Sequence, residues 1–151
     1  MKNYLKEEGD ILETVKVYLS GSMMNSSWEE QTKWRRQIRD AILGCDCSKN
    51  VHIFDPTQYY NYEEKLHKSE REVMEFELNA LRKSDVIIVN LKNSNSIGTA
   101  IELAIAKELR IPVIAFGIGD KDIHSWILEC CTRVCDSMGE LMVHIVDFYL
   151  N

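Results

Sequence analysis

The chain has 151 residues, of which 45% are hydrophobic and 28% are charged, and its formal net charge at pH 7 is −6. This length predicts one domain, spanning residues 1–151, with a core of its own. The cations between Lys33 and Arg39 are flanked by acidic residues, so the clustered positive charge needed to bind a nucleic-acid polymer is missing. No apolar run approaches the roughly 20 residues of a membrane span, and the first ten residues lack the apolar core of a signal peptide. We therefore expect a cytoplasmic protein that binds neither nucleic-acid polymers nor membranes.

Cysteine and histidine spacing predicts neither a metal nor a cofactor. The four histidines show no ligand spacing, and the cysteines are odd in number without paired Cys-x-x-Cys elements. We expect most of the cysteines to be reduced thiols, with a redox or metal pair at Cys45-Asp46-Cys47 as the alternative. The five cysteines are Cys45, Cys47, Cys130, Cys131 and Cys135.

Apolar periodicity and end signals predict strands that alternate with helices. Ser27 and Glu30 form a capping-box pattern, which predicts a helix that ends at Gly44. Strands are predicted at 15–19, 51–54, 86–89 and 113–116, further helices at 69–83 and 99–109, and a polar, tyrosine-rich loop at 57–68. A last helical region is predicted at 123–149, interrupted near Met138-Gly139.

This alternation predicts an α/β fold, namely a doubly wound, mostly parallel sheet with helices on both faces, of the Rossmann or flavodoxin-like kind. In such sheets ligands bind beyond the carboxyl ends of the strands. Those ends are expected at 19–24, 54–60, 90–99 and 116–120.

Small and hydroxyl-bearing residues occupy two of these strand ends. Gly21 and Ser22 follow the first strand, and Ser96 and Gly98 repeat the arrangement after the third. Small residues are common in turns, so either turn alone is a weak signal. Together they predict a phosphate or ribose site, although no dinucleotide or P-loop fingerprint occurs.

Two carboxylates are candidates for chemistry at this edge. Glu102 is predicted in the first turn of the 99–109 helix, where free N–H groups favour an ionised acid; the alternative is a surface carboxylate that complements the helix dipole. Glu77 lies among other acidic residues, which favours a solvated face, but a crevice position would pair it with Glu102. Such pairs cleave bonds at anomeric carbons. Tyr18 either hydrogen-bonds Glu102 or is an ordinary core tyrosine.

The chain resembles the nucleoside 2-deoxyribosyltransferases and the related nucleoside 5′-monophosphate N-glycosidases. The resemblance covers the whole chain in outline and is carried by residues 17–22 (VYLSGS), 77–90 (ELNALRKSDVIIVN) and 96–103 (SIGTAIEL). The combination of Ser-x-Gly-Thr-x-x-Glu with a preceding strand that starts after an Asp is the most specific part.

The resemblance implies roles for individual residues. Glu102 would be the nucleophile that forms a covalent glycosyl-enzyme, and Tyr18 would orient it. Glu77 would stand where the family's base-protonating residue is found. The expected substrate-binding residues are Gly21, Ser22, Asn90, Ser96 and Gly98. The family's transferases commonly have an acid in place of Ser96, whereas its nucleotide hydrolases have a serine that contacts the 5′-phosphate, so the chain is more similar to the hydrolases.

The sequence departs from the family pattern at two positions. Glu77 stands where an aspartate is usual, and its extra methylene moves the carboxyl group. Met23 and Met24 follow Gly21-Ser22, where the phosphate-binding branch often has a basic residue.

The leading hypothesis is therefore cleavage of the N-glycosidic bond of a (deoxy)nucleotide or (deoxy)nucleoside, with hydrolysis favoured over transfer of deoxyribose between bases. A catalytically silent nucleotide-binding or sensor module is the alternative of another class. Family resemblance also implies a homo-oligomer, a dimer or larger, in which the region 123–136 would donate a residue to the neighbour's site. Aromatic residues at an interface, or a base stacked on Tyr59, Tyr60 and Tyr62, would account for the aromatic content.

Overall fold

A computed structural model describes residues 12–23, 26–59, 66–93, 95–119 and 122–151. Five parallel strands form one sheet in the order β2-β1-β3-β4-β5. The strands are β1 (Thr14–Gly21), β2 (Asn50–Phe54), β3 (Val86–Asn90), β4 (Val113–Phe116) and β5 (Arg133–Val134). From β1 the chain adds β2 on one side of the sheet and β3 on the other. The boundary between β1 and β3 is therefore the switch point where doubly wound sheets open a crevice for ligands. The predicted α/β fold is confirmed.

Helices cover both faces of the sheet. They are α1 (Trp28–Leu43), α2 (Glu70–Arg82), α3 (Ile97–Glu108), α4 (Ser125–Glu129) and α5 (Met138–Ile145), and α5 continues as a π-helical turn over Val146–Leu150. One face of the sheet packs against α1 and α5 through Trp34, Ile38 and Leu141. The other packs against α2, α3 and α4 through Leu81, Leu103 and Ile127. Alternate strand residues contribute to the two cores, as the pleat requires.

The boundaries of α1 follow from its end signals. Ser27 accepts from the backbone N–H of Glu30, the Glu30 carboxylate accepts from the backbone N–H of Ser27, and Gly44 is the C-cap, so the predicted capping box and stop are confirmed. The predicted inward residues Trp34, Ile38 and Ile42 are buried. A short 3-10 turn capped by Asp55 spans Pro56–Gln58, at the start of the loop that was predicted at 57–68.

The start of α3 was predicted two residues too late. Ser96 is the N-cap and the helix begins at Ile97, because the Ser96 hydroxyl accepts from the backbone N–H of Thr99 at 3.4 Å. Glu102 is therefore the sixth helical residue, and the prediction of a first-turn carboxylate was wrong. The N–H groups without helical partners lie in the first turn, so they do not explain how Glu102 ionises.

The C-terminal region also differs from the prediction. The interruption was expected near Met138-Gly139, but α5 begins at Met138, since Ser137 caps the backbone N–H of Glu140. The break lies instead between α4 and α5, where β5 adds a fifth strand at the sheet edge. A two-residue strand is too short to give an alternating pattern, which is why periodicity missed it.

The expectation that most of the cysteines are reduced is confirmed, and the redox alternative holds for the other two. Cys45 and Cys47 form a disulfide, because the turn after Gly44 brings their Cα atoms to 5.6 Å. Cys130, Cys131 and Cys135 are free. The described part of the chain contains no cluster of three or more His, Cys, Asp or Glu side chains able to hold a metal ion. Over the same residue ranges, no helix has the length and apolarity that a membrane crossing requires.

Candidate active site

Glu102 is held by two hydroxyl groups from β1. The Tyr18 hydroxyl donates to Oε1 of Glu102 at 3.0 Å, and the Ser20 hydroxyl donates to Oε2. Tyr18 and Ser20 are two residues apart on a strand, so their side chains lie on the same face of the sheet, where α3 packs. The predicted hydrogen bond between Tyr18 and Glu102 is confirmed. Each carboxylate oxygen of Glu102 therefore has a hydroxyl partner.

Stacked rings fix the Tyr18 side chain. Tyr18 is fully buried and stacks on Phe54 of β2 at a centroid distance of 5.2 Å, and Tyr59 stacks on the far side of Phe54 at 5.0 Å. Tyr59 also contacts Phe76 edge-on, and it remains 37% exposed. Tyr60 and Tyr62 lie outside the described residues, as do Met24 and Asp120. The stack leaves the Tyr18 hydroxyl little freedom, so it presents a fixed donor to Glu102.

Glu77 lies on α2, on the same face of the sheet as Glu102. It is half-buried and is four residues before the fully buried Leu81, which places both on the inward side of the helix. Burial, together with the negative charge of Glu102, raises the pKa of Glu77 to about 7. The neighbouring Glu72 and Glu75 are exposed and pair with His67 and Arg71, respectively. The solvated-face interpretation therefore fits those neighbours but not Glu77.

Opposing effects act on Glu102 itself. Burial is the larger effect and raises the pKa of Glu102 above its usual value, while the hydroxyls of Ser20 and Tyr18 and the positive charge of Arg35 offset part of that rise. Burial and the charges of Glu102 and Glu77 hold the pKa of Tyr18 well above its usual value, so its hydroxyl keeps the proton that it donates. The hydroxyls and the buried arginine, rather than the helix terminus, stabilise the ionised form of Glu102.

Arg35 is a buried cation that sequence reasoning missed. Its guanidinium lies over the Trp34 ring at 4.5 Å and donates to the carbonyl oxygens of Gln31 and Gly21 at 2.9 and 3.1 Å. Nε lies 3.8 Å from Oδ1 of Asp55, which is itself buried. The spacing could have indicated that Arg35 is buried, because positions 31, 35, 38 and 42 lie on the buried face of α1. Ser20 was missed in the same way, although its register with Tyr18 was readable.

The predicted substrate-binding residues separate into two groups. Gly21 and Asn90 are direct neighbours on β1 and β3, and Ser22 and Asn90 line a cavity of about 310 Å³ on the α1 side of the sheet edge. Ser96 and Gly98 lie at the start of α3. The structure thus brings Tyr18, Glu77 and Glu102 together, and it places Ser22 and Asn90 in the wall of this cavity.

The two strand-end glycines have different surroundings. A Cβ on Gly21 would lie 2.9 Å from Cζ2 of Trp34, so packing of α1 alone explains this glycine. A Cβ on Gly98 would have no atom closer than the Ser96 hydroxyl at 3.8 Å. Packing within the described residues therefore does not require a glycine at position 98.

Comparisons with known proteins agree with this architecture. The family model described as "Nucleoside 2-deoxyribosyltransferase like" matches residues 14–117, which span β1 to the end of β4 and include Tyr18, Glu77 and Glu102. No curated protein matches the chain in sequence.

Solved structures share the fold at low sequence identity. A 2-deoxyribosyltransferase from Bacillus psychrosaccharolyticus is similar with a TM-score of 0.65 and 20% identity, over 85% of this chain and 90% of that one. A 2-desoxiribosyltransferase from Leishmania mexicana has a TM-score of 0.65 and 18% identity, over 90% and 99%. A CMP N-glycosidase from Clostridium botulinum has a TM-score of 0.55 and 18% identity, over 89% and 99%. Because the family model matches more than half of the chain, this protein belongs to the nucleoside 2-deoxyribosyltransferase-like family of enzymes.

Proposed function

We propose that this enzyme cleaves the N-glycosidic bond of a (deoxy)nucleotide or (deoxy)nucleoside through a covalent glycosyl-Glu102 intermediate. The observation that carries the proposal is the carboxylate pair on one face of the sheet. Glu102 is fixed through both oxygens, and Glu77 beside it has a pKa of about 7. Two carboxyl groups with different protonation states are what a nucleophile and a general acid require.

In the first step, a Glu102 carboxylate oxygen attacks the anomeric carbon and the bond from that carbon to the base nitrogen breaks. The electron pair goes to the departing base, which takes a proton from Glu77. A pKa near 7 lets Glu77 hold that proton at neutral pH and release it when needed. The hydroxyls of Tyr18 and Ser20 keep the Glu102 oxygens in position for attack.

In the second step, a water molecule attacks the anomeric carbon and the ester bond to Glu102 breaks. The ionised Glu77 takes a proton from the water, so both carboxyl groups return to their starting states. We propose that water is the preferred acceptor, because Ser96 occupies the position where family transferases commonly carry an acid. The similarity in fold to a CMP N-glycosidase supports a nucleotide substrate. The proposed products are a free base and a 5-phosphorylated sugar.

Incubation with a panel of deoxynucleosides, nucleosides and their 5′-monophosphates, with chromatography of the released base, tests the proposal. We expect base release to require Glu102 and intact-mass spectrometry of quenched reactions to show a glycosyl adduct on the protein. No base release from any member of the panel, with nucleotide binding measured by calorimetry, would instead support a silent binding or sensor module. A new nucleoside formed after addition of a second base would support transfer.

We also propose that the enzyme acts in the cytoplasm as a homo-oligomer, a dimer or larger. Trp126 is 78% exposed on α4, within the region 123–136 that was expected to reach a neighbouring subunit. A large exposed aromatic side chain is typical of an interface. By contrast, Trp34 belongs to the core. Analytical ultracentrifugation of the wild type and of Trp126→Ser tests this proposal, because a monomeric wild type would contradict it.

A further inference from the structure

Arg35 supports β1 from the face of the sheet opposite to the one on which α3 and Glu102 lie. It is 1% exposed on α1, and its Nη2 donates to the carbonyl oxygen of Gly21 at 3.1 Å. Gly21 directly follows Ser20, whose hydroxyl donates to Oε2 of Glu102. Because Ser20 and Gly21 are adjacent, the guanidinium fixes the part of β1 that holds the Glu102 carboxylate.

Packing alone does not explain why this side chain is charged. Burying a guanidinium costs free energy, and an apolar side chain of similar length would fill the space at a lower cost. Nη1 and Nη2 of Arg35 donate to the carbonyl oxygens of Gln31 and Gly21, which carry no net charge. Nε is buried and has no hydrogen-bond partner within the described residues. A buried cation of this kind requires negative charge nearby.

Asp55 supplies only part of that negative charge. Its Oδ1 lies 3.8 Å from Nε of Arg35 and accepts from the backbone N–H and the hydroxyl of Thr57 at 2.9 and 2.6 Å. Its Oδ2 accepts from Nη1 of Arg39 at 3.0 Å, so the closer cation of Asp55 is Arg39. The charge of Arg35 is therefore only partly neutralised by Asp55 and acts on other acidic groups.

Those acidic groups belong to the candidate active site. The positive charge of Arg35 counteracts the effect of burial on the pKa values of Glu102, Glu77 and Tyr18. Buried charges are screened less than exposed ones, so this charge acts from one face of the sheet to the other. The titratable groups that face Arg35 or the two carboxyl groups are all acidic, and they are Tyr18, Asp55, Glu70, Glu77 and Glu102.

We propose that Arg35 is a positioning residue for the nucleophile of this enzyme. It holds the end of β1 in place through the Gly21 carbonyl, and its charge favours the ionised form of Glu102, which is the form that attacks the anomeric carbon. The inference rests on the proposed function for the role of Glu102 as the nucleophile. The action of Arg35 on the Glu102 carboxyl group can be measured without any substrate.

Carboxyl ¹³C NMR of protein labelled in glutamate follows the titration of Glu102, and Glu102→Gln identifies its signal. Arg35→Met removes the charge and keeps an unbranched side chain. Arg36→Met is the matched control, because it makes the same change at the next position of α1, where the side chain is exposed. Asp55→Asn disturbs the same buried group but leaves the charge of Arg35, since arginine stays protonated in proteins.

We expect the titration midpoint of Glu102 to move to higher pH in Arg35→Met, because the ionised carboxylate loses a nearby positive charge. At neutral pH, kcat for base release should fall about tenfold or more with a smaller change in KM, since the end of β1 is no longer held. The acidic limb of the pH–rate profile should move in the same direction as the titration midpoint. Arg36→Met should match the wild type in all of these measurements.

Two further variants separate the charge from a merely structural effect. Asp55→Asn should lower the free energy of unfolding, but the titration midpoint of Glu102 should stay in place or move to lower pH. The double variant Arg35→Met/Asp55→Asn removes both charges and leaves no buried carboxylate at position 55, so it serves if Arg35→Met does not fold. In the double variant the midpoint should again lie above that of the wild type.

The proposal is overturned if the variants without Arg35 titrate Glu102 as the wild type does. It is also overturned if Asp55→Asn raises the midpoint as much as Arg35→Met, since loss of structure would then explain both shifts. A wild type that releases no base from any substrate, together with a raised midpoint in Arg35→Met, would support the action of Arg35 on Glu102 and contradict the glycosidase proposal instead.

Discussion

Glu102 and the wall of the cavity on the α1 side satisfy their polar groups in opposite ways. On the α2 and α3 side, both oxygens of Glu102 are occupied by protein hydroxyls. On the α1 side, Ser22 and Gln31 each retain a buried atom without a partner in the described part of the chain. A group that is fixed before substrate arrives suits catalysis, whereas unpartnered atoms suit recognition, because a ligand then supplies the missing hydrogen bonds.

The largest effect should come from removing the carboxylate of Glu102. We expect Glu102→Ala to lower base release by about 10⁴-fold, because the nucleophile of a covalent mechanism has no substitute. Chromatography of released base measures the loss. The matched control is Glu108→Ala, an exposed carboxylate six residues further along α3, which should leave the rate unchanged. Full activity of Glu102→Ala would exclude this residue as the nucleophile.

Glu77→Gln should lower kcat by about 10²-fold or more and change KM little, since it removes a proton donor while keeping the shape of the side chain. The wild-type rate should fall as the pH rises above about 7, where Glu77 loses its proton. In the variant this alkaline limb should disappear.

The control for Glu77 is Glu75→Gln on the same helix, where the exposed carboxylate pairs only with Arg71 among the described residues. An unchanged rate and pH profile in Glu77→Gln would reduce Glu77 to a structural charge.

Removing single hydroxyls tests whether Glu102 depends on being held. Tyr18→Phe keeps the stacked ring and Ser20→Ala keeps the strand, so each should cost about 1 kcal/mol of stability but lower kcat by about tenfold. The acidic limb of the rate profile should move to higher pH, because each hydroxyl lowers the pKa of Glu102.

Measured pH–rate profiles of both variants check this expectation, with Tyr59→Phe as the control hydroxyl removal. If the acidic limb stayed in place in both variants, the hydroxyls would not stabilise the ionised carboxylate.

The raised pKa of Glu77 should also make the free energy of unfolding depend on pH. The pKa of Glu77 is raised from 4.5 in the unfolded chain to about 7 in the folded state. Between these values the unfolded chain loses its proton while the folded state keeps it, so the folded state becomes less favourable as pH rises, up to about pH 7. Glu77→Gln should therefore raise the free energy of unfolding at pH 8 by about 1 kcal/mol and leave it unchanged below pH 4. Urea unfolding at the two pH values measures the difference, and equal effects at both would contradict the raised pKa.

The smallest expected effect on stability comes from two glycines in equivalent positions. Gly98 and Gly139 are both the second residue of a helix capped by serine, and a Cβ on either would meet nothing closer than 3.7 Å. Gly98→Ala and Gly139→Ala should both leave the melting temperature unchanged or raise it slightly. The gain in the free energy of unfolding should not exceed about 1 kcal/mol. If Gly98 is glycine because a ligand approaches the backbone there, only Gly98→Ala should lose activity. Equal activities in the two variants would remove Gly98 from the substrate site.

Local sequence patterns predicted an element correctly where the residues that form the pattern also stabilise that element. The capping box at Ser27, the stop at Gly44 and the strand at 113–116 were all correct, because capping and apolar patterning act over a few neighbouring residues. The two-residue strand β5 was not predictable, since tertiary pairing with β4 alone makes it a strand.

The candidate site divides in the same manner. The sequence, with the family resemblance, identified Glu102, Glu77 and Tyr18 as the chemically interesting residues. It placed Glu102 two positions too early in its helix and assigned its ionisation to the helix terminus. Ser20 and Arg35 were missed because a strand serine and a basic residue on a helix usually face solvent, and only packing shows that these two are buried.

By itself, the sequence determined the alternation of strands and helices and therefore a parallel α/β sheet, and it predicted a site at the carboxyl ends of the strands. The tertiary structure decided which side chains meet there. Hydrophobic periodicity specifies which face of an element is buried, but the partners of a buried polar group come from residues distant in the chain. Ser20 and Glu102 are separated by 82 positions, and their contact exists only after α3 has packed on β1.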